Sequence, residues 1–519
     1  IIEIETSVFP IMAMTLGAGI FISLFCNMGE FPSLLKRAYS DYYDALKFYK
    51  KYVGDIDSTY LYNIDFIKVM AVDNYTASGS VAFQRRLKNN ILKYIKLPDS
   101  ILLDAMNVLY KKWTSYTKLQ FLNQQQLNDF RNIAGILAAI SGVFLTTSSE
   151  VLVGFKNFPH LNAMQKDIAR KINYFVKLQC SWLNNSELLT RENSRDLLSI
   201  ELHPLSYGIL LTNLKTKIRE LYLVDLSLPD QESSYILLEQ IIIILRTILR
   251  RDDDSQIIIW FSPNLIESIS DVIDIVQKID HKSIRYYKAI IQMSKMFKGL
   301  EHSEEYLHIK NHFRLKNKWI KLVISWFEET LNKDYDFENI SKSHREMDLK
   351  KRDLDILYID TSIESSRALA YLTKDVPLEV PFSNTKEELK RATSVMFGNY
   401  FTILLKGLET STNLEKYPVA LKHKISLLNG NLITSLTNLS IANVDASFQF
   451  TLPMGYSTDK NIKIAFLKVF IDIANNYPFQ KTKSKKSQNE AVTSFINVLL
   501  KYPEFVYLGS LVCSSSEID

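Results

Sequence analysis

The sequence predicts an all-α protein, a solenoid of HEAT/armadillo-like helical repeats. Three observations carry that expectation. Glycine and proline number only 15 and 13 in 519 residues, too few breakers for a chain of many short strands and turns. Apolar residues recur at spacings of three and four in one stretch after another, each about ten to twenty residues long. Short turn-rich segments join these stretches, and none shows a clear strand alternation. No strict period is visible, so the repeats are degenerate, each helix pair burying its apolar face only against the next. A hydrophobic share of 47% supplies ample core. The length suits three or so compact domains or one long repeat array.

In chain order, Thr6–Gly29 comes first. It carries no charge and is long enough to span a bilayer. Pro10, Gly17, Gly19 and Asn27 interrupt it, and no basic n-region marks a signal peptide. A helix buried on all sides has the same composition and is the preferred reading. Residues 34–72 read as helix, Asp73–Ser80 as a loop, and Val81–Ile95 as a basic amphipathic helix. Asp99 or Ser100 caps a helix to Lys118, with Leu102, Leu103, Met106, Leu109, Tyr110 and Trp113 as its apolar positions. Asn123–Asn128 reads as a turn and Asp129–Leu145 as a core helix. There Ala134, Gly135, Ala138, Ala139 and Gly142 let a neighbour approach closely.

After a loop at Asn157–His160, Leu161–Leu183 is a helix with Met164, Ile168, Ile172 and Phe175 on one face. Leu188–Val224 is a helix pair broken at Leu202–Leu205, where Pro204 suits the first turn of the second helix. β-Branching alone would allow a strand at Ser234–Leu249, but its length favours a buried helix. Asp252–Asp254 lacks the twelve-residue calcium-loop pattern and reads as a solvated turn. Helices follow at Pro263–Asp280, Ser283–Phe297 and Glu304–Leu331. Lys333–Asp348 is polar and reads as mobile. Further helices are Asp353–Lys374, Thr385–Thr410 and Leu421–Leu439. Residues 481–488, with Lys481–Lys486 at their start, form a basic linker, and Ala491–Leu500 and Glu504–Val512 are short helices.

Thr437–Phe479 reads as two helical patterns around a turn-rich centre, Pro453–Asp459. Pro453 and Gly455 end the first helix, and Ser457, Thr458 or Asp459 caps the second. Ile462, Ala465, Phe466, Val469 and Phe470 line one face of that second helix.

A net charge of +5 gives nucleic-acid binding little support. Three widely spaced cysteines, Cys26, Cys180 and Cys513, suggest no disulfide framework and a reducing, intracellular setting. The chain starts at Ile1, not Met, and reads as a piece of a longer protein. No P-loop, GxGxxG, HExxH or GxSxG is present. His302, His308 and His312 form the densest histidine cluster, with Glu304 and Glu305 nearby, but without a full ligand set they read as an exposed helix surface. His203 reads as a turn residue, Trp319 and Trp326 as core, and Asp353 and Asp355 as a helix start. No catalytic, cofactor-binding or metal-binding residue is nominated, and no cofactor is expected.

Several blocks, in order, resemble neurofibromin and the fungal Ira proteins, a family of Ras GTPase-activating proteins. They are Phe130–Leu137 with Gly142–Val143, Leu197–Asn213, Phe313–Lys318 with Trp326, Arg352–Asp355, Leu372–Leu378 and Tyr400–Thr402. Ala442–Asp445 through Gly455–Tyr456 completes the set. The resemblance implies an arginine finger inserted in trans into a Ras-type small GTPase, neutralising charge on the transferring phosphoryl group. That finger is expected outside this chain. Residues 489–519 resemble only the opening of the catalytic domain, and Arg352 and Arg391 sit in repeat segments. The expectation is therefore a helical repeat region at residues 1–480, the linker, and the truncated start of a Ras-GAP domain. The piece would not be an enzyme by itself. A Ras-type GTPase is its expected partner through the downstream domain. Homodimer contacts through the repeats and a cytoplasmic, peripheral membrane location are further expectations. The rival readings are a HEAT-type scaffold or adaptor unrelated to Ras, and a membrane protein anchored by Thr6–Gly29.

Overall fold

The computed structural model describes residues 100–119, 124–145, 161–226, 228, 231–250, 255–303, 313–333, 349–378, 386–412, 414–455 and 457–476, and these hold helices and no strand. The sequence readings at 1–99, Asn157–His160, Asp252–Asp254, residues 304–312, residues 334–348 and everything after Asn476 lie outside the described residues. The chain divides into two compact units, residues 1–220 with 263–268, and residues 221–262 with 269–519.

The first unit contains α1 (Ser100–Thr117), α2 (Gln124–Ile140), α3 (Leu161–Ser181), α4 (Leu188–Asp196) and α5 (Tyr207–Tyr222, to Glu220 in this unit). A π-helical turn at Leu197–Glu201 continues α4, and a 3-10 turn at Pro204–Ser206 precedes α5. Trp113 is its aromatic centre, fully buried with Phe175 at 4.9 Å, Tyr174 at 6.2 Å and Phe130 at 6.3 Å. Such ring packing contributes beyond the area it buries.

Helix α2 differs from the sequence expectation at both ends. The glutamine-rich segment is the first turn of α2, because glutamine is a good helix former. Helix α2 also stops at Ile140 and does not run to Leu145. A Cβ on Gly142 would lie 2.1 Å from His203 Nδ1, and the His203 amide donates to the Ala138 carbonyl at 2.9 Å. The incoming 203–206 turn therefore takes the space and the acceptor at the helix end.

The second unit contains α6 (Glu232–Leu249), the remainder of α7 (Ser255–Val276), α8 (Ile284–Ser303), α9 (Phe313–Leu331), α10 (Leu349–Leu372), α11 (Lys386–Thr412), α12 (Val419–Ala442), α13 (Val444–Met454) and α14 (Lys460–Asn476). Its packing is that of stacked helical hairpins. Helices α6, α8, α10, α12 and α14 each pack on the next to form one row, while α9, α11 and α13 form a second. Helices α9 and α11 fold back on α10 and α12 respectively. Phe297 on α8 meets Trp319 at 5.3 Å and Trp326 at 6.3 Å on α9, so the tryptophan pair is core as predicted. Ile462, Ala465, Phe466, Val469 and Phe470 are all buried, also as predicted.

Helix α10 lies at the middle of this stack and buries polar groups. Ser362, Ser365 and Ser366 are all nearly inaccessible. Across the α10–α12 contact, the Asn438 amide donates to the Ala370 carbonyl at 2.6 Å and the Asn431 amide donates to Ser366 Oγ at 3.2 Å. Ser435 donates to the Ser366 carbonyl at 3.3 Å. On the α9 side, Ser362 donates to Thr330 at 2.7 Å. Each bond contributes only about 1 kcal/mol net, but leaving a buried partner unmade costs about 1–3 kcal/mol.

Several boundaries differ from the sequence reading. Helix α7 runs from Ser255 through Pro263, which is exposed, so solvent can replace the donor that the proline removes. Asp353 and Asp355 lie inside α10, not at its start, and Asp355 is buried. Helix α13 continues one residue past Pro453 to Met454. Thr437–Phe479 contains the end of α12 as well as α13 and α14, because the backbone breaks at Asn443.

Two helical glycines test the packing. A Cβ on Gly407 would meet the buried Phe327 ring at 2.6 Å, whereas one on Gly430 would meet nothing within 4 Å. Alanine is favoured over glycine in a helix by about 1 kcal/mol, but overpacking a core costs about 1–3 kcal/mol. Gly407→Ala is therefore expected to lower the urea unfolding midpoint of the chain, and Gly430→Ala to raise it.

Candidate functional site

The densest convergence of matched sequence blocks lies in the second unit, around Pro377 and Leu378. Helix α10 ends with Thr373 donating its amide to the Leu369 carbonyl. Asp375 then adopts a φ of 56°, the left-handed conformation with which helices commonly stop and which glycine or asparagine takes most easily. The chain that emerges is gripped from both sides. Asn317 at the start of α9 donates to the Pro377 carbonyl at 3.1 Å. The Leu378 amide donates to Asn443 Oδ1 at 2.8 Å, and Asn443 Nδ2 donates to the Leu439 carbonyl at 2.9 Å. Val376 and Leu378 are buried between these bonds. Nearby, the Lys316 ammonium lies 5.4 Å from the Tyr371 ring centre. Blocks 313–318, 372–378 and 442–445 thus meet at one joint. Asn443 both breaks α12 from α13 and holds the end of α10, a role its sequence neighbours do not advertise.

Two other pairs of matched blocks also meet. In the first unit, Gly142 of the first block makes room for His203 of the Leu197–Asn213 block, and beside it lie the His203–Ala138 bond and a 2.8 Å Ser141–Ser206 hydroxyl pair. Leu205 donates its amide to His203 Nδ1 at 3.2 Å, so His203 is the turn residue the sequence predicted. In the second unit, Phe401 lies 6.1 Å from Phe450, and Gly398 leaves room for that same ring.

A cluster of titratable groups joins α8, α9 and α10. Glu329 accepts from Tyr286 at 3.3 Å and Tyr287 at 3.4 Å. His281 stacks on Tyr286 at 4.2 Å, with Nδ1 3.7 Å from the carboxylate. Tyr287 meets Tyr358 edge-on at 4.7 Å, and the Lys333 ammonium lies 5.3 Å from the Tyr358 ring. Burial, and then the Glu329 charge, push the Tyr286 and Tyr287 hydroxyls well above their ordinary range. Burial, then Asp355 and Glu329, raise Tyr358. With its carboxylate already accepting two phenols, the cluster is suited to joining three helices. The sequence does not reveal it, because its members come from three separate stretches.

No group of three metal-ligating side chains occurs among the described residues. His308, His312, Glu304 and Glu305 lie outside them, as does the His302 side chain. Arg391 is exposed on α11, and Arg352 lies on α10. Cys180 is buried, and desolvation pushes its thiol up to about 12, against a smaller pull from Lys217. No described helix is long and apolar enough to cross a membrane; Thr6–Gly29 lies outside the described residues.

No family model matches the chain. Along its whole length it is 54% identical to Inhibitory regulator protein IRA1 of Saccharomyces cerevisiae, covering 17% of that protein. It is 49% identical to Inhibitory regulator protein IRA2 of the same yeast over 99% of this chain, again covering 17% of the relative. The chain is a homologue, end to end, of one segment of the Ira inhibitory regulators. The likeness therefore reaches beyond the Phe130–Phe479 blocks and takes in the first hundred residues. The chain spans about a sixth of each relative's length.

Two outcomes test this Ira-like segment. In the fold the raised tyrosines favour the neutral phenol, while the unfolded chain ionises them near the ordinary value of about 10. Their stabilisation is complete below about pH 10 and is lost as pH rises beyond it. Tyr286→Phe/Tyr287→Phe is expected to make the alkaline fall in urea midpoint shallower. In Cys26→Ser/Cys513→Ser protein, Cys180 is expected to resist a thiol reagent at pH 8 until the chain is unfolded.

Proposed function

We propose that this chain is the helical support ahead of the GTPase-activating domain in a negative regulator of Ras signalling. The end-to-end identity to proteins named inhibitory regulators supports this reading most strongly. The stacked hairpins of the second unit agree with it, since such arrays present extended surfaces and hold neighbours in fixed geometry. In this reading, residues 1–480 are a repeat region of HEAT/armadillo type, 481–488 a basic linker and 489–519 the opening of the catalytic domain. The arginine finger belongs to sequence downstream. A Ras-type small GTPase engages that downstream domain, where the finger neutralises charge on the transferring phosphoryl group. The repeats also offer surfaces for self-association. The protein works in the cytoplasm, peripherally at membranes.

The test is a Ras GTP-hydrolysis assay on the chain alone and on the chain fused to its native downstream sequence. The chain alone is expected to leave the intrinsic rate unchanged, and the fusion to raise it by about 10³-fold or more. A fusion without stimulation, or a stimulating isolated chain, contradicts the reading.

A further inference from the structure

The small net charge of the chain conceals an uneven distribution. Helices α1, α3 and α5, with Lys118 directly after α1, carry ten lysines and arginines against three acidic residues, Asp104, Asp167 and Glu220. The three helices are neighbours within the first unit. Lys171 on α3 donates to Asn107 on α1 at 2.8 Å, and Asn213 on α5 donates to Asn173 on α3 at 2.9 Å. Asp167 is paired with Lys171 at 2.7 Å and Glu220 with Lys217 at 2.8 Å.

Lys215 is paired with Glu267, and Lys112 is only partly exposed; Lys111, Lys118, Lys166, Arg170, Lys177 and Arg219 remain, all exposed. On α3, Lys166, Arg170 and Lys177 follow one another at spacings of four and seven. They therefore share a stripe roughly 16 Å long at 1.5 Å per residue. That stripe lies between the α1-facing Lys171 and the α5-facing Asn173, so it points away from the core. Tyr174 on α3, Val108 on α1 and Leu119 just after α1 are exposed apolar groups of the same elements.

We infer that this basic face of α1, α3 and α5 docks on an anionic lipid bilayer. Four of the six free cations are lysines, strongly hydrated point charges suited to a diffuse field, whereas recognition of individual carboxylates favours arginine forks. The charges spread over three adjacent helices, matching an extended anionic surface better than a single acidic segment. Tyr174 supplies the amphipathic ring that interfaces favour. Each basic residue brought near such a surface adds to the attraction, which salt screens. This assignment rests on the peripheral-membrane part of the proposed function and names the surface for it. Its outcome is independent of the GTP-hydrolysis assay, which is read in solution without lipid.

The test is co-sedimentation of the full 519-residue chain with phosphatidylserine/phosphatidylcholine vesicles, with phosphatidylcholine vesicles and soluble polyglutamate as comparison arms. Binding is expected to the phosphatidylserine vesicles only, to weaken with salt, and to fall at least about tenfold in Lys166→Glu/Arg170→Glu/Lys177→Glu. The milder Arg170→Gln/Lys177→Gln is expected to show a smaller loss, with circular dichroism unchanged; if the triple variant is misfolded, this second variant decides. No binding to phosphatidylserine vesicles at low salt overturns the inference, as does binding that neither folded variant weakens. Capture by polyglutamate alone, lost in the same variants, also overturns it in favour of an acidic protein segment.

Discussion

A seam of buried hydroxyls and half-buried carboxamides fixes how the second unit is put together. Asn431, Ser435 and Asn438 on α12 reach across to Ser366 and the carbonyls of α10, while Ser362 turns to Thr330 on α9. Apolar contacts alone tolerate sliding, since one methyl group substitutes for another. A donor aimed at a particular carbonyl does not, because a shift by one residue leaves the enclosed acceptor unpaired. Small side chains also bring the two helices close. The half-exposed Lys424–Asp360 pair at 2.6 Å adds less, because solvent screens it.

From that register follows the joint at Leu378. If α10 is held against α12, its left-handed stop at Asp375 delivers the Leu378 amide to Asn443 and the Pro377 carbonyl to Asn317. The blocks by which the chain resembles the Ira group are therefore residues that hold one helix pair against the next. In the first unit, the contact of Gly142 and Ala138 with His203 has the same character. Such residues suit a support better than a reactive centre.

Much of this was legible beforehand. Helices with one apolar face, such as α3 and α14, stood out because their buried residues recur at three and four. The sequence marks α10 as a helix but not what surrounds it. Asp353 and Asp355 look like first-turn acids only if the helix begins there, and α10 begins at Leu349. Its serines carry no sign in the sequence that they are buried, because that depends on α8, α9 and α12 enclosing it. The break at Asn443 was hidden inside an apolar run, since nothing local distinguishes a capping asparagine from a helical one until Leu378 arrives. The Tyr286–Tyr287–Glu329 cluster and the basic row of α1, α3 and α5 depend equally on which helices become neighbours. Family resemblance points to a function where residue chemistry does not, because the described residues bring together bonding and packing groups more than reactive ones.

Helices α10 and α12 behave as one body through their polar seam. Hydrogen–deuterium exchange of their amides, in the chain and in Asn438→Leu protein, tests it most directly. Both helices are expected to be among the slowest-exchanging segments, and the substitution to lower protection in the two together, including Leu372–Leu378. Loss confined to α12, with α10 as protected as before, would contradict it.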